Sequence, residues 1–183
     1  MTLVLVGSLV LLGYIYGGYL LLLQLLVWFR GPRRVRRENI TPSVTLIISA
    51  FNEAAVIRKK LENVLSLTYP ADRLDTVVIS DASDDGTDEI VREYASRGIR
   101  LCRQNDRRGK TAGLNAVIPT LSSEVLVFSD ANAMYDSEAL ARLVRNFADL
   151  EVGCVTGEAR YIAHGVASAD VGERLYWNYE MLV

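Results

Sequence analysis

At 183 residues, with 50 % hydrophobic content and a formal net charge of −2, the chain has room for one domain and an appendage. Its single histidine, His164, excludes a histidine-based metal cluster. A Ser-His-Asp triad would have to recruit that residue, and nothing near it resembles a nucleophile turn. Cys102 and Cys154 lie in apolar, strand-like segments and read as free buried thiols in a reducing compartment.

The hydrophobic excess is concentrated at one end. Between residues 2 and 29 there is no charge, and only Thr2, Ser8 and Gln24 are clearly polar. About 20 apolar residues cross a bilayer as a helix, so 1–29 reads as a transmembrane helix. A secretory signal would show a basic start, a shorter apolar core and a small-residue cleavage site, none of which is evident. The basic linker 30–43 follows, with Arg30, Arg33, Arg34, Arg36 and Arg37 in eight residues. By the positive-inside rule that flank is cytoplasmic, and it can meet anionic headgroups. The expected location is a bacterial inner or plasma membrane, crossed once, with the soluble part in the cytoplasm. Setting those arginines aside, 15 basic residues face 22 acidic ones, which argues against nucleic acid as a partner.

From residue 44 the pattern alternates. A strand over 44–48 ends in Ser49-Ala50-Phe51-Asn52-Glu53, and a helix over 54–67 carries Val56, Ile57, Leu61, Val64 and Leu65 at helical spacing. Between them stand Arg58, Lys59, Lys60 and Glu62, read as its polar face. A second strand, 74–80, ends in Asp81-Ala82-Ser83-Asp84-Asp85-Gly86-Thr87, where Asp84 and Asp85 read as turn formers. Thr87 is the expected N-cap of a helix running to about Arg97, and Gly98 ends it. A short strand over 99–102 leads to the basic loop 105–110 and a helix over 112–118. The run Val125-Leu126-Val127-Phe128 fits a strand buried on both faces. A helix over 137–148, a strand-like 153–157 and an aromatic, helical 167–183 complete the chain. Strands alternating with helices predict a mostly parallel, doubly wound α/β sheet with flanking helices.

Such a fold gathers Asn52, Glu53, Asp81, Asp130 and Asn132 along the carboxyl edge of the sheet, where ligands sit. Asp130 and Asn132, one small residue apart, suit a hard divalent cation that completes its shell with phosphate and water; the other reading is a turn that ends a strand. Asp81 can accept hydrogen bonds from a nucleoside base or ribose, and Lys110 can lie against a phosphate as a point charge. Glu53 is either a first-turn helix acid or a ligand contact.

Four segments, Ser49-Ala50-Phe51-Asn52-Glu53, Ser80 to Asp88, Gly109-Lys110-Thr111-Ala112-Gly113-Leu114-Asn115 and Phe128-Ser129-Asp130-Ala131-Asn132, resemble family 2 glycosyltransferases in order and spacing. The likeness covers 44–183 and is greatest to the membrane-bound subgroup that resembles cellulose, hyaluronan and poly-N-acetylglucosamine synthases. It implies a GT-A (Rossmann-like) fold, a nucleotide-sugar donor that is commonly UDP-linked, Mg²⁺ or Mn²⁺, and inverting transfer to a glycan or polysaccharide acceptor. Carried over by position, Ala50, Phe51, Asn52, Glu53 and Asp81 would line the nucleoside pocket. Lys110 would reach the nucleotide, Asp130 its phosphates, and Asn132, with Asp130, the metal.

Two departures qualify the likeness. The family usually has aspartate where Asn132 stands, and an amide oxygen brings no charge. The family's catalytic carboxylate and its glutamine-arginine-tryptophan motif lie beyond the last residue here. Glu158, Glu173 and Glu180 do not sit in the context of a general base. The expectation is therefore a donor-binding half, inactive as an isolated chain, with the catalytic residue unknown. The rival from another class is a membrane-anchored nucleotide-sugar-binding module without turnover. A nucleotidyltransferase would not need the anchor, and a nicotinamide enzyme would carry G-x-G-x-x-G after the first strand.

Overall fold

The computed structural model describes residues 2–31 and 34–157. The chain divides into two units, and Val35–Gly157 forms one of them. In the other, helix α1 (Thr2–Gly13) passes through a π-helical turn (Tyr14–Gly18) into α2 (Tyr19–Arg30). The wider turn closes on Gly17-Gly18, the pair with least preference for regular helix. The combined helix Thr2–Arg30 is long and apolar enough to cross a membrane. Gly31, at φ +70°, ends it, a conformation that glycine adopts without steric cost.

The folded unit carries strands β1 (Val44–Ala50), β2 (Leu74–Ser80), β3 (Ile99–Arg103) and β4 (Val125–Asp130). All pair in parallel, in the order β3-β2-β1-β4, as alternating strands and helices predict. The crossover helices are α3 (Ala54–Leu65), α4 (Thr87–Arg92) and α5 (Lys110–Val117), and α6 (Ala139–Val144) follows β4. Because strand side chains alternate, β1 feeds two cores. Leu46 and Ile48 join Ile57, Leu61 and Val64 of α3 and Leu140 and Val144 of α6. Ile47, with Val77 and Ile79 of β2, packs against Val117 of α5. The central strand is thus covered on both faces, which explains its consecutive apolar residues Leu46, Ile47 and Ile48.

The chain reverses winding direction between β1 and β4. Successive strands step outward from β1 to β3, then β4 returns to the opposite side of β1. This is a topological switch point, where loops leave in opposite directions and open a crevice at the carboxyl ends.

Several local expectations change. The helix expected to reach Arg97 stops at Arg92, and a 3₁₀ turn (Ala95–Arg97) follows the buried Tyr94. Gly86, not Thr87, is its N-cap. Thr87 instead accepts a hydrogen bond from the Glu53 amide at 2.8 Å, while Asp85 Oδ2 accepts from the Ala54 amide at 2.9 Å. The loop after β2 therefore caps the start of α3, satisfying amides that a helix end leaves unpaired. Residues 153–157 form no strand and Cys154 is exposed; glycines bound the segment and no ladder partner stands beside it among the described residues. Lys60, expected on a polar face, is fully buried. The helix 167–183 and Glu158, Glu173 and Glu180 lie outside the described residues.

Candidate functional site

The switch-point crevice encloses about 270 Å³. From β1 and the turn after it come Ser49, Ala50, Phe51 and Glu53; from β2 come Ile79 and Asp81. Gln104 and Lys110 enter from the segment after β3, and Asp130 and Asn132 from the end of β4. Register explains the convergence, since Ala50 faces Ser80 and Ser49 faces Asp130 across the ladder. Three strand ends therefore finish at one level.

Asn52 is the exception among the expected residues and does not line the crevice. Its amide donates to Asp84 Oδ1 at 2.9 Å and its carbonyl oxygen accepts from the Asp84 amide at 3.0 Å. The side chain joins the β1 and β2 loops. Its backbone, at φ +54°, takes the left-handed conformation that asparagine tolerates better than most residues.

Asp81 is almost buried, at 8 % exposure. Its Oδ1 accepts from Gln104 Nε2 at 2.8 Å and from the Arg108 amide at 2.8 Å, and Oδ2 accepts from the Gly109 amide at 3.0 Å. The carboxylate is thus a hub for the loop that opens α5. Gly109 adopts φ +85°, which turns its N–H onto Asp81. Gly113, one turn later, has no room for a side chain, because a Cβ would stand 2.6 Å from Ile79 Cγ2. Helix α5 consequently lies close on β2.

At the rim, the Arg107 guanidinium sits 4.0 Å from the Phe51 ring centroid, a cation–π pair on the β1 side of the crevice. Across it, Lys110 Nζ donates to Asp130 Oδ1 at 2.5 Å, with both side chains at least half exposed.

Behind Asp130 stands Lys60. Its ammonium donates to the Ala133 carbonyl and lies 4.0 Å from the Tyr135 ring centroid. Burial pushes its pKa from the ordinary 10.5 down to about 8, against a smaller opposing pull from the charge of Asp130. Periodicity could have found it, because Ile57, Lys60, Leu61 and Val64 form one buried stripe of α3. Gln104 and Arg107 gave no comparable signal; their roles depend on how the loop after β3 folds back.

Among the described residues no three His, Cys, Asp or Glu side chains cluster as a metal cage. The crevice offers the Asp130 carboxylate and the Asn132 amide oxygen. Magnesium-like ions commonly keep one or two protein oxygens and take the rest from phosphates and water. The residues therefore fit a cation completed by a diphosphate rather than one held by protein alone.

An open parallel sheet with acidic strand ends and a lysine at its switch point places charged side chains where ligands bind in such folds. The Glycosyl transferase family 2 model matches residues 45–180, and the chain belongs to that family. It is 33 % identical over 135 residues to the beta-monoglucosyldiacylglycerol synthase of Trichormus variabilis, covering 70 % of this chain and 29 % of that one. It is 34 % identical over 134 residues to the probable glycosyltransferase YdaM of Bacillus subtilis, covering 69 % and 32 %. The chain thus spans about a third or less of these relatives' length. Among solved structures, the mannosyltransferase PcManGT from Pyrobaculum calidifontis, in complex with GDP-Man and Mn²⁺, matches at a TM-score of 0.70 and 34 % identity, over 79 % of this chain and 44 % of that one. The fold is of the GT-A type.

Proposed function

We propose that the folded unit is the donor-binding half of a membrane-bound, inverting glycosyltransferase. It takes a nucleoside-diphosphate sugar, in the first reading a UDP-sugar, together with Mg²⁺ or Mn²⁺. The sugar goes to a glycan or polysaccharide acceptor. The observation that carries this reading is the convergence of Asp81, Lys110 and Asp130 on one switch-point crevice.

In this reading Phe51 and Glu53 border the nucleoside and Asp81 holds the shape of its pocket. Asp81 Oδ2 keeps accepting capacity beyond its bond to Gly109. Lys110 exchanges its contact with Asp130 for one with the diphosphate, acting as a point charge. Asp130 and Asn132 would hold the cation, which when bound offsets charge on the departing diphosphate. The helix Thr2–Arg30 spans the membrane, and the arginines after it keep the folded unit on the cytoplasmic side.

A GDP-linked donor is the second reading, favoured by the GDP-Man in PcManGT. Calorimetry on the full chain in detergent, with UDP and with GDP, in Mn²⁺ and then in chelator, tests both. Metal-dependent binding of UDP supports the first reading and binding of GDP alone the second. Binding of neither to a folded sample overturns the donor assignment.

A further inference from the structure

The chain leaving β4 carries Asp130 and Asn132 into the crevice, then runs back over α3. Along that return three backbone polar groups meet side chains of α3 instead of a neighbouring strand. Lys60 donates to the Ala133 carbonyl. Asn63 donates from Nδ2 to the Tyr135 carbonyl at 2.8 Å and accepts the Tyr135 amide on Oδ1 at 2.8 Å. Asn132 lies between two fixed points. Before it, Asp130 is the last residue of β4, in register with Ser49. After it, Ala133 is held by Lys60, and its own amide returns to the Asp130 carbonyl at 3.2 Å. Ala131, within this turn, is buried.

A lysine is a costly way to fill a core position. Burying an ammonium opposes its charge, and an apolar side chain of similar length would satisfy packing alone. What the ammonium adds is a donor for the Ala133 carbonyl and a cation against the Tyr135 ring, near enough to Asp130 to feel its charge. Resting on the donor reading above, we infer that Lys60 and Asn63 are positioning residues: they clamp the loop 131–135 so that the oxygens of Asp130 and Asn132 face the donor diphosphate and its cation. Neither touches the ligand. Groups that orient ligands from behind commonly change metal affinity by one to two orders of magnitude.

The test uses the full chain in detergent, wild type against Lys60→Met, which keeps length and apolar volume. Three readouts are taken: melting temperature, amide hydrogen exchange over residues 130–137, and the Mn²⁺ concentration that half-saturates UDP or GDP binding. The clamp predicts faster exchange over 130–137 with the sheet unaffected. It also predicts a Mn²⁺ requirement raised about tenfold or more, while any nucleotide binding in chelator stays as in the wild type. Should Lys60→Met fail to fold, Asn63→Ala is expected to give the same signature. Unchanged exchange in a folded variant overturns the clamp. Faster exchange with an unchanged Mn²⁺ requirement overturns the positioning role. A wild type that binds neither nucleotide overturns the donor reading and the positioning role with it, whereas the exchange pattern still decides whether the clamp exists.

Discussion

The two acidic ends of the crevice are built differently. Asp81 is nearly buried and its carboxylate is occupied by Gln104 and by the amides of Arg108 and Gly109. Asp130 has a side chain 62 % exposed, with the Lys110 ammonium as its described ion-pair partner. One corner is finished by the chain itself, so its carboxylate is a structural hub that also shapes a pocket. The other presents charge to solvent and is braced only from behind, through the loop that Lys60 and Asn63 hold. A rigid pocket suits a planar base and ribose, and an open oxygen cluster suits a cation that arrives with its phosphates.

The largest expected effect is at Asp81. Asp81→Ala strips two backbone amides and one side-chain amide of a charged acceptor, and should cost about 3 kcal/mol of stability. Asp130→Ala, removing an exposed ion pair, should change stability by no more than about 0.5 kcal/mol yet abolish metal-dependent nucleotide binding. Urea midpoints and calorimetry on the two variants check this; equal losses of stability would mean the corners do not differ as described.

A second effect concerns Lys60, behind the open corner. The pKa of Lys60 is lowered from 10.5 to about 8 in the fold. Between those values the unfolded chain binds more protons than the folded one, so stability rises with pH. Relative to Lys60→Met, the wild type should gain up to about 3 kcal/mol between pH 8 and pH 10.5. Urea midpoints across that range read the gain, and a flat difference would place Lys60 in contact with water.

The smallest effect concerns Asn132. Asn132→Asp adds a carboxylate beside that of Asp130, and ligand charge tunes affinity for hard cations. Half-saturation by Mn²⁺ in the presence of nucleotide should fall by about tenfold, which is about 1.4 kcal/mol. No change would remove position 132 from the cation's shell.

Strand and helix order, the parallel sheet and the gathering of residues 50, 51, 53, 81, 110, 130 and 132 at one edge were legible in the sequence. Most of this follows from period-2 and period-3.6 patterning and from polar residues that end apolar runs, which are local signals, while positions 50 and 51 entered through the family resemblance. At Asn52 the same Asx chemistry that marks a ligand contact also marks a loop joint, and its bonds to Asp84 depend on an approach of the β2 loop that no local pattern encodes. Lys60 shows the same limit from the other side. Its charge assigns it to a polar face whereas its spacing from Ile57 and Val64 matches the buried stripe of α3, and what a buried ammonium bonds to depends on the loop after β4, 73 residues away. Sequence determined which residues could carry charge and which faces must be covered. The crossing of β4 to the far side of β1, and with it the pairing of Lys60 with Ala133 and of Asp81 with Gly109, came from tertiary packing. Contacts between distant segments are selected by the whole core, and no local pattern encodes them.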